Sequence, residues 1–272
     1  MSIHHPADFR KRVFSRRICA MAAILFLLIR TPAFSQQSPA TQPGNAAPTT
    51  LPAGDPANFA LGPVRIDAKK KQIRVECQAL NVDMPLEFFC VMNGGPEHET
   101  VLRTAAKPSA IHFGLLALGL TPGEPAHYDK PTNTWFPPSG APLQISCEYQ
   151  LKGKTITVPA NRMMRSVKTK QEMPPFTWVF DGSRVMPDGT YAADITCYVV
   201  SIVNFDLTMI DVPELASNAN ETLEWEFNPD LVPPKGTKVT MIIEPAKDAP
   251  ATQPAKGKAG DQFNPGPGLH GG

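Results

Sequence analysis

Leu143-Gln144-Ile145-Ser146-Cys147-Glu148-Tyr149-Gln150-Leu151 alternates apolar with polar side chains without a break. Lys152-Gly153-Lys154 turns it back into Thr155-Ile156-Thr157-Val158. Side chains on a strand point alternately to opposite faces, so strict period-2 alternation marks a strand with one face buried and one in water. The two runs form a hairpin, and they set the class as β.

Other stretches repeat the pattern. Ile73-Arg74-Val75-Glu76-Cys77-Gln78-Ala79 alternates in the same way, and Leu86 to Met92 is apolar on nearly both faces. The short link Asn81-Val82-Asp83-Met84-Pro85 predicts that these two runs pair as an antiparallel hairpin. Val64–Ile66, Trp178-Val179-Phe180, a long run from Ala192 to Val203, Leu223–Phe227 and Lys238–Glu244 read as further strands. Trp178, Phe180, Trp225 and Phe227 alternate as core or cross-strand packing; a sugar-stacking platform is the alternative.

One helix stands out over Ala110–Leu118, with Ser109 as its expected N-cap and Gly119 placed to end it. The proline-rich stretch Glu124–Gly140 reads as an ordered loop pinned by Trp135 and Phe136, and Asn161–Lys170 as a short helix or irregular edge. The inventory predicts a mostly β, α+β domain: an antiparallel sheet or sandwich-like body with one clear short helix.

The ends differ from this middle. Arg10, Lys11, Arg12, Arg16 and Arg17 precede the uncharged apolar run Ile18–Ile29, and Ala33-Phe34-Ser35 follows with small residues at the positions a signal peptidase reads. A helix over that run rises only about 18 Å, short of the ~30 Å hydrocarbon core, so no stable span is expected after cleavage. Residues 1–35 read as a signal peptide, 36–62 as a disordered Pro/Ala/Gln/Thr-rich linker, 63–246 as the domain, and 247–272 as a disordered Pro/Gly/Lys-rich tail. The protein is expected in the periplasm or secreted.

Removing residues 1–35 takes away six basic residues and one acidic one, moving the formal charge from +1 to −4. That balance argues against nucleic acid as a partner, because phosphate binding needs concentrated positive charge. The lone basic run, Lys69-Lys70-Lys71, reads as a solvated turn before a strand.

The mature chain keeps Cys77, Cys90, Cys147 and Cys197, spaced by 13, 57 and 50 residues. An even count in an exported chain invites disulfides. The hairpin read over 73–92 would face Cys77 with Cys90 and leave Cys147 for Cys197. Buried free thiols are the alternative. The spacing does not suit a four-cysteine metal site.

Glu97-His98-Glu99-Thr100 is the densest polar cluster, and His112 lies in the first turn of the helix. His98, Glu99 and His112 could offer nitrogen and carboxylate ligands to a divalent metal, with Glu97 or Glu99 as base for water activation. In the structural alternative Glu99 pairs with Arg103 and His112 packs against Leu116. Ser183, beside Asp181-Gly182, reads as a turn residue, since the flanking glycines of a nucleophile elbow are missing. No other cofactor is indicated.

Taken in order, Glu97-His98-Glu99, then Ile111-His112-Phe113-Gly114-Leu115-Leu116-Ala117-Leu118-Gly119-Leu120 with Pro122-Gly123, then Trp178-Val179-Phe180-Asp181-Gly182-Ser183 and Val203-Asn204-Phe205 resemble the YdjY-like domain of exported bacterial proteins. The resemblance covers roughly residues 64–245. It implies a shared fold but no established activity. Two functions stay open: an extracytoplasmic binding or structural domain for a protein partner or envelope component, and a metal-dependent hydrolase built on His98, Glu99 and His112.

Overall fold

The computed structural model describes residues 58–247 and 258–259. The stretch read as a signal peptide and nearly all of those read as linker and tail lie outside these residues. Two boundaries shift inside them. Residues 58–61, read as linker, form β1 (Asn58–Leu61), and two residues of the tail form a strand described below.

β1 pairs with β2 (Val64–Asp67), which pairs with β3 (Gln72–Ala79). β4 (Phe88–Met92) and β5 (Thr100–Thr104) follow, then α1 (Pro108–Ala117). β6 (His127–Asp129) and β7 (Thr134–Phe136) make a hairpin where an ordered loop was expected. His127 stacks on Phe136 and Tyr128 on Trp135. β8 (Ala141–Leu151) and β9 (Lys154–Pro159) are the predicted hairpin. β10 (Met164–Ser166), β11 (Trp178–Phe180), α2 (Ala192–Thr196), β12 (Tyr198–Ser201), β13 (Ile210–Asp211), β14 (Trp225–Phe227), β15 (Lys238–Pro245) and β16 (Lys258–Ala259) complete the order. β14 pairs with β10, and β16 with β7.

The domain is mostly β with one clear helix, as the alternation predicts, and its main sheet closes on itself. The ring runs β3-β15-β8-β11-β13-β12-β4-β5 and returns to β3. Closure depends on two long strands that change partner along one edge. β3 meets β2 through Gln72–Val75 and β5 through Cys77–Ala79. β8 meets β11 through Ala141–Leu143 and β9 through Ser146–Leu151. β15 joins them on their other edges. Ile73, Val75, Cys77 and Ala79 of β3, Leu143, Ile145, Cys147 and Tyr149 of β8, and Val239, Met241 and Ile243 of β15 fill the interior with Trp178 and Phe180. Burying each large side chain contributes about 1.5–3 kcal/mol.

Two strand assignments are corrected. β3 and β4 do not form a hairpin: β5 inserts between them, antiparallel to β3 and parallel to β4. The run from Ala192 to Val203 is not one strand, because Ala192–Thr196 is helical and Cys197 ends it in the left-handed conformation at φ 68°. Only Tyr198–Ser201 is extended.

α1 lies over the row Phe59–Ile66–Ile73, which strand register sets side by side. Gly114 permits the close approach: a Cβ there would meet Ile73 Cδ1 at 3.0 Å. The expected N-cap is also corrected. Lys107 occupies that position and Pro108 opens the helix. The Asp194 carboxylate of α2 caps it from outside, accepting from Ser109 N at 2.8 Å and Ser109 Oγ at 2.6 Å. A carboxylate near a helix start satisfies an orphan amide and suits the dipole. At the far end Gly119 N donates to Leu116 O and Leu120 N to Leu115 O, a Schellman closure with Gly119 at φ 83°.

Candidate functional site

Parallel pairing of β4 and β5 sets Phe88 beside Thr100, so the preceding residues, Glu87 and Glu99, also stand side by side. Their backbones meet through Glu87 N donating to Glu99 O at 3.0 Å. Their side chains share a hydrogen bond. Burial, the Glu99 charge and that bond push the Glu87 carboxyl up to about 7. Two adjacent carboxyl groups cannot both ionise cheaply, so Glu87 keeps its proton until the pH rises through about 7. Phe88, Tyr198 and Phe205 form an aromatic cluster beside it, with Phe88 and Phe205 stacked at 4.9 Å. Burial and the Glu87 and Glu99 charges raise the Tyr198 phenol, keeping it protonated.

His98 is exposed on the 3-10 turn Glu97–Glu99, with Nε2 3.5 Å from Glu99 Oε1. His112 lies elsewhere, packed edge-on to Phe180 and Tyr191. The Tyr191 hydroxyl donates to Gly182 O and lies 2.9 Å from His112 Nδ1. Tyr191 thus links the His112 imidazole to the Gly182 carbonyl. Burial holds the imidazole below its usual range, so it is neutral at physiological pH.

The structure therefore does not bring His98, Glu99 and His112 together. Glu99 turns to Glu87 and His112 to Tyr191. Among the described residues no three His, Cys, Asp or Glu side chains are grouped to hold a metal. Glu97, the other candidate base, accepts from Arg103 Nη1 at 2.7 Å. That corrects the expected Glu99–Arg103 pair: Arg103 points to the outer face of β5, where it also meets Gln78 Oε1. Of the described histidines, His98 contacts Glu99, His112 contacts Tyr191 and His127 contacts the Pro125 carbonyl. None of these contacts is to a serine, threonine or cysteine nucleophile. Ser183 sits in a turn at φ 56° and donates to Leu207 O, as a turn residue would.

A second acid pair was not foreseen. Asp181 ends β11 and Asp211 lies in β13, paired with Val179, and both are fully buried. Asp211 Oδ1 accepts from Val212 N and Asn204 Nδ2, and Asp181 Oδ1 from Ser183 N. The Oδ2 atom of each has no partner. Burial raises both carboxyls, and the Asp211 charge raises Asp181 further. Asp181, Gly182 and Asn204 all belong to stretches that carry the family resemblance, and His112 joins them through Tyr191.

All four described cysteines are free thiols. Cys77, Cys90 and Cys147 are buried in the barrel, and the Cys77 and Cys90 side chains touch. Burial pushes the Cys90 and Cys147 thiols up, which makes them poor nucleophiles. Cys197 sits apart at the end of α2, its Cβ only 2.7 Å from where a Cβ on Gly95 would stand.

The outer faces of β3, β5, β8 and β15 form an open depression of about 590 Å³. Glu76, Gln78, Arg103, Glu148, Gln150 and Lys238 line it. Arg74 reaches Glu148 at 2.6 Å and Arg103 is held by Glu97 and Gln78, so charges of both signs are paired around it.

No curated protein and no solved structure matches this chain. The model of the YdjY domain matches residues 64–244, the whole barrel from β2 to nearly the end of β15. With that match running over most of the 272 residues, and the resembling stretches meeting around Tyr191 and the two acid pairs, the chain belongs to the YdjY domain family.

Proposed function

We propose that this is an extracytoplasmic, non-enzymatic domain, periplasmic or secreted, that binds a polar polymer of the cell envelope. The carrying observation is the depression across β3, β5, β8 and β15. It is open, walled by the paired strands β5, β3, β15 and β8, and lined by amides, carboxylates and cations. Such a lining suits a ligand rich in hydroxyls and amides better than a strongly charged or an apolar one. The titratable pairs lie elsewhere: the aspartates are buried, and the Glu87–Glu99 pair stands beside Phe88 and Tyr198.

Peptidoglycan sacculi are a direct probe. The processed protein is expected to co-sediment with them, and Thr240→Arg, which places a long cation on the floor of the depression, is expected to reduce retention at least tenfold. Equal retention of the variant, or none of the wild type, would count against this reading. The metal-dependent hydrolase is the weaker alternative, since His98, Glu99 and His112 are not drawn together. Metal analysis of protein purified without chelators is expected to show less than a stoichiometric ion. One equivalent lost in His98→Ala would revive it.

A further inference from the structure

Separately from polymer binding, and on the opposite face of β3, we propose that the outer surface of α1 with the adjoining lysine turn is a docking surface for an anionic lipid bilayer. α1 is a surface helix with no acidic or strongly basic side chain on any side. From Pro108 to Leu120 the sequence has no charged residue except the His112 imidazole, which is neutral. A surface helix ordinarily turns a charged face to water. Here Ile111, Gly114 and Leu115 face the barrel, while Phe113 is 51% exposed and Leu116 44% exposed on the side away from it. Phe59 of β1, 38% exposed, stands edge-on to Phe113 at 6.1 Å and extends the apolar surface.

The flank of this surface is basic. Lys69, Lys70 and Lys71 are all exposed in the turn between β2 and β3. That turn starts two residues past Ile66 and ends two before Ile73, the side chains on which Gly114 rests. Asp67 offsets part of this charge, through Lys70 at 3.8 Å. Lys107 adds a further cation at the start of α1. Bulky apolar groups flanked by lysines make the pattern of a peripheral contact: the rings enter the boundary of the acyl region and the ammonium groups meet anionic headgroups. α1 is too short to span, and no described helix is long and apolar enough to cross a membrane.

Charge selects an anionic bilayer over a second copy of the protein, because the exposed Lys69, Lys70 and Lys71 flank the exposed rings. β1 begins at Asn58, paired with Asp67 at the foot of the lysine turn. A like-charged lysine turn would also repel its own image across a two-fold contact.

The test is vesicle co-sedimentation of the processed chain. Vesicles with about one third phosphatidylglycerol in phosphatidylethanolamine are expected to pellet it, and pure phosphatidylcholine vesicles to pellet it at least tenfold less. The pair Phe113→Glu/Leu116→Glu should lose binding at any salt concentration. The triple Lys69→Gln/Lys70→Gln/Lys71→Gln should lose the salt-sensitive part, and it reads the surface without touching the helix fold. Thr240→Arg should bind vesicles normally, which separates failure here from failure of the polymer-binding proposal. The proposal is overturned if neither set of substitutions changes pelleting, if anionic vesicles pellet nothing, or if Phe113→Glu/Leu116→Glu instead abolishes a concentration-dependent dimer.

Discussion

Glu87 and Glu99 are twelve positions apart in sequence, and nothing local marks them as partners; the parallel register of β4 and β5 brings them together. The folded state raises Glu87 from 4.5 to about 7, so folding takes up a proton between those values. The stabilising contribution of this group is fully present below the unfolded value and is lost as pH rises through the folded one. The loss is on the order of 2 kcal/mol after allowing for solvent screening at this half-buried position. Glu87→Gln, which mimics the protonated form, is expected to flatten stability between pH 4.5 and 7.5 and to be more stable than the wild type at the upper end. Urea melts at both pH values measure this, and parallel curves for the two proteins would show that Glu87 does not carry the shared proton. The same lack of local signal hid Asp181 and Asp211, each of which reads as a turn or strand-end acid until β11 and β13 are paired. His98, Glu99 and His112 stand apart for the converse reason. Proximity in sequence suggested a cluster, but a 3-10 turn and a helix separated by a strand aim them at different neighbours.

Elements were legible where their signals are local. The alternation of β8, the turn into β9 and the glycine that closes α1 follow from single-chain sterics, and the structure places all three as read. The supposed hairpin of β3 and β4 failed because a short link is only a weak guide once a third strand can insert. The run after Tyr191 failed because Ala192-Ala193-Asp194-Ile195-Thr196 is also compatible with helix, and tertiary contact with Ser109 decides between them. Two glycines separate backbone preference from crowding. At Gly119 a Cβ would meet nothing within 4 Å, so Gly119→Ala should cost only its left-handed conformation, about 1 kcal/mol. At Gly140 a Cβ would fall 1.9 Å from the Phe180 carbonyl oxygen, where strand β11 passes under the loop. Gly140→Ala is expected to cost about 3 kcal/mol or more, since backbone must move. Thermal melts of the two variants should differ by several degrees, at about 2–4 °C per kcal/mol for a domain of this size. Similar melting points would show that the loop yields freely.

Closing the sheet into a barrel leaves its wall uneven, and the thiols inside report where it opens. β13 is the narrowest stave: it meets β11 through two residue pairs and β12 through one. Its neighbour Val200 pairs with both Ile210 and Cys90, so loosening β13 uncovers the layer that contains Cys90. Cys147 is held differently, between β15 and β9 on a strand paired along both edges. Local opening draws on the weakest wall first, while a group in the best-paired strands waits for global unfolding. Labelling the native processed protein with a thiol reagent should therefore modify half-exposed Cys197 first, Cys90 at an intermediate rate, and Cys147 last. In denaturant without reductant all four thiols of the domain should react. Peptide mapping reads both results. A bridge between Cys77 and Cys90, which touch inside the barrel, would instead leave only Cys147 and Cys197 reactive in denaturant. It would also tie β3 to β4 across β5 and slow unfolding at the seam that closes the ring. Equal labelling of Cys90 and Cys147 in the native state would mean that the barrel opens as one cooperative unit, and that β13 is no weaker than the long strands opposite it.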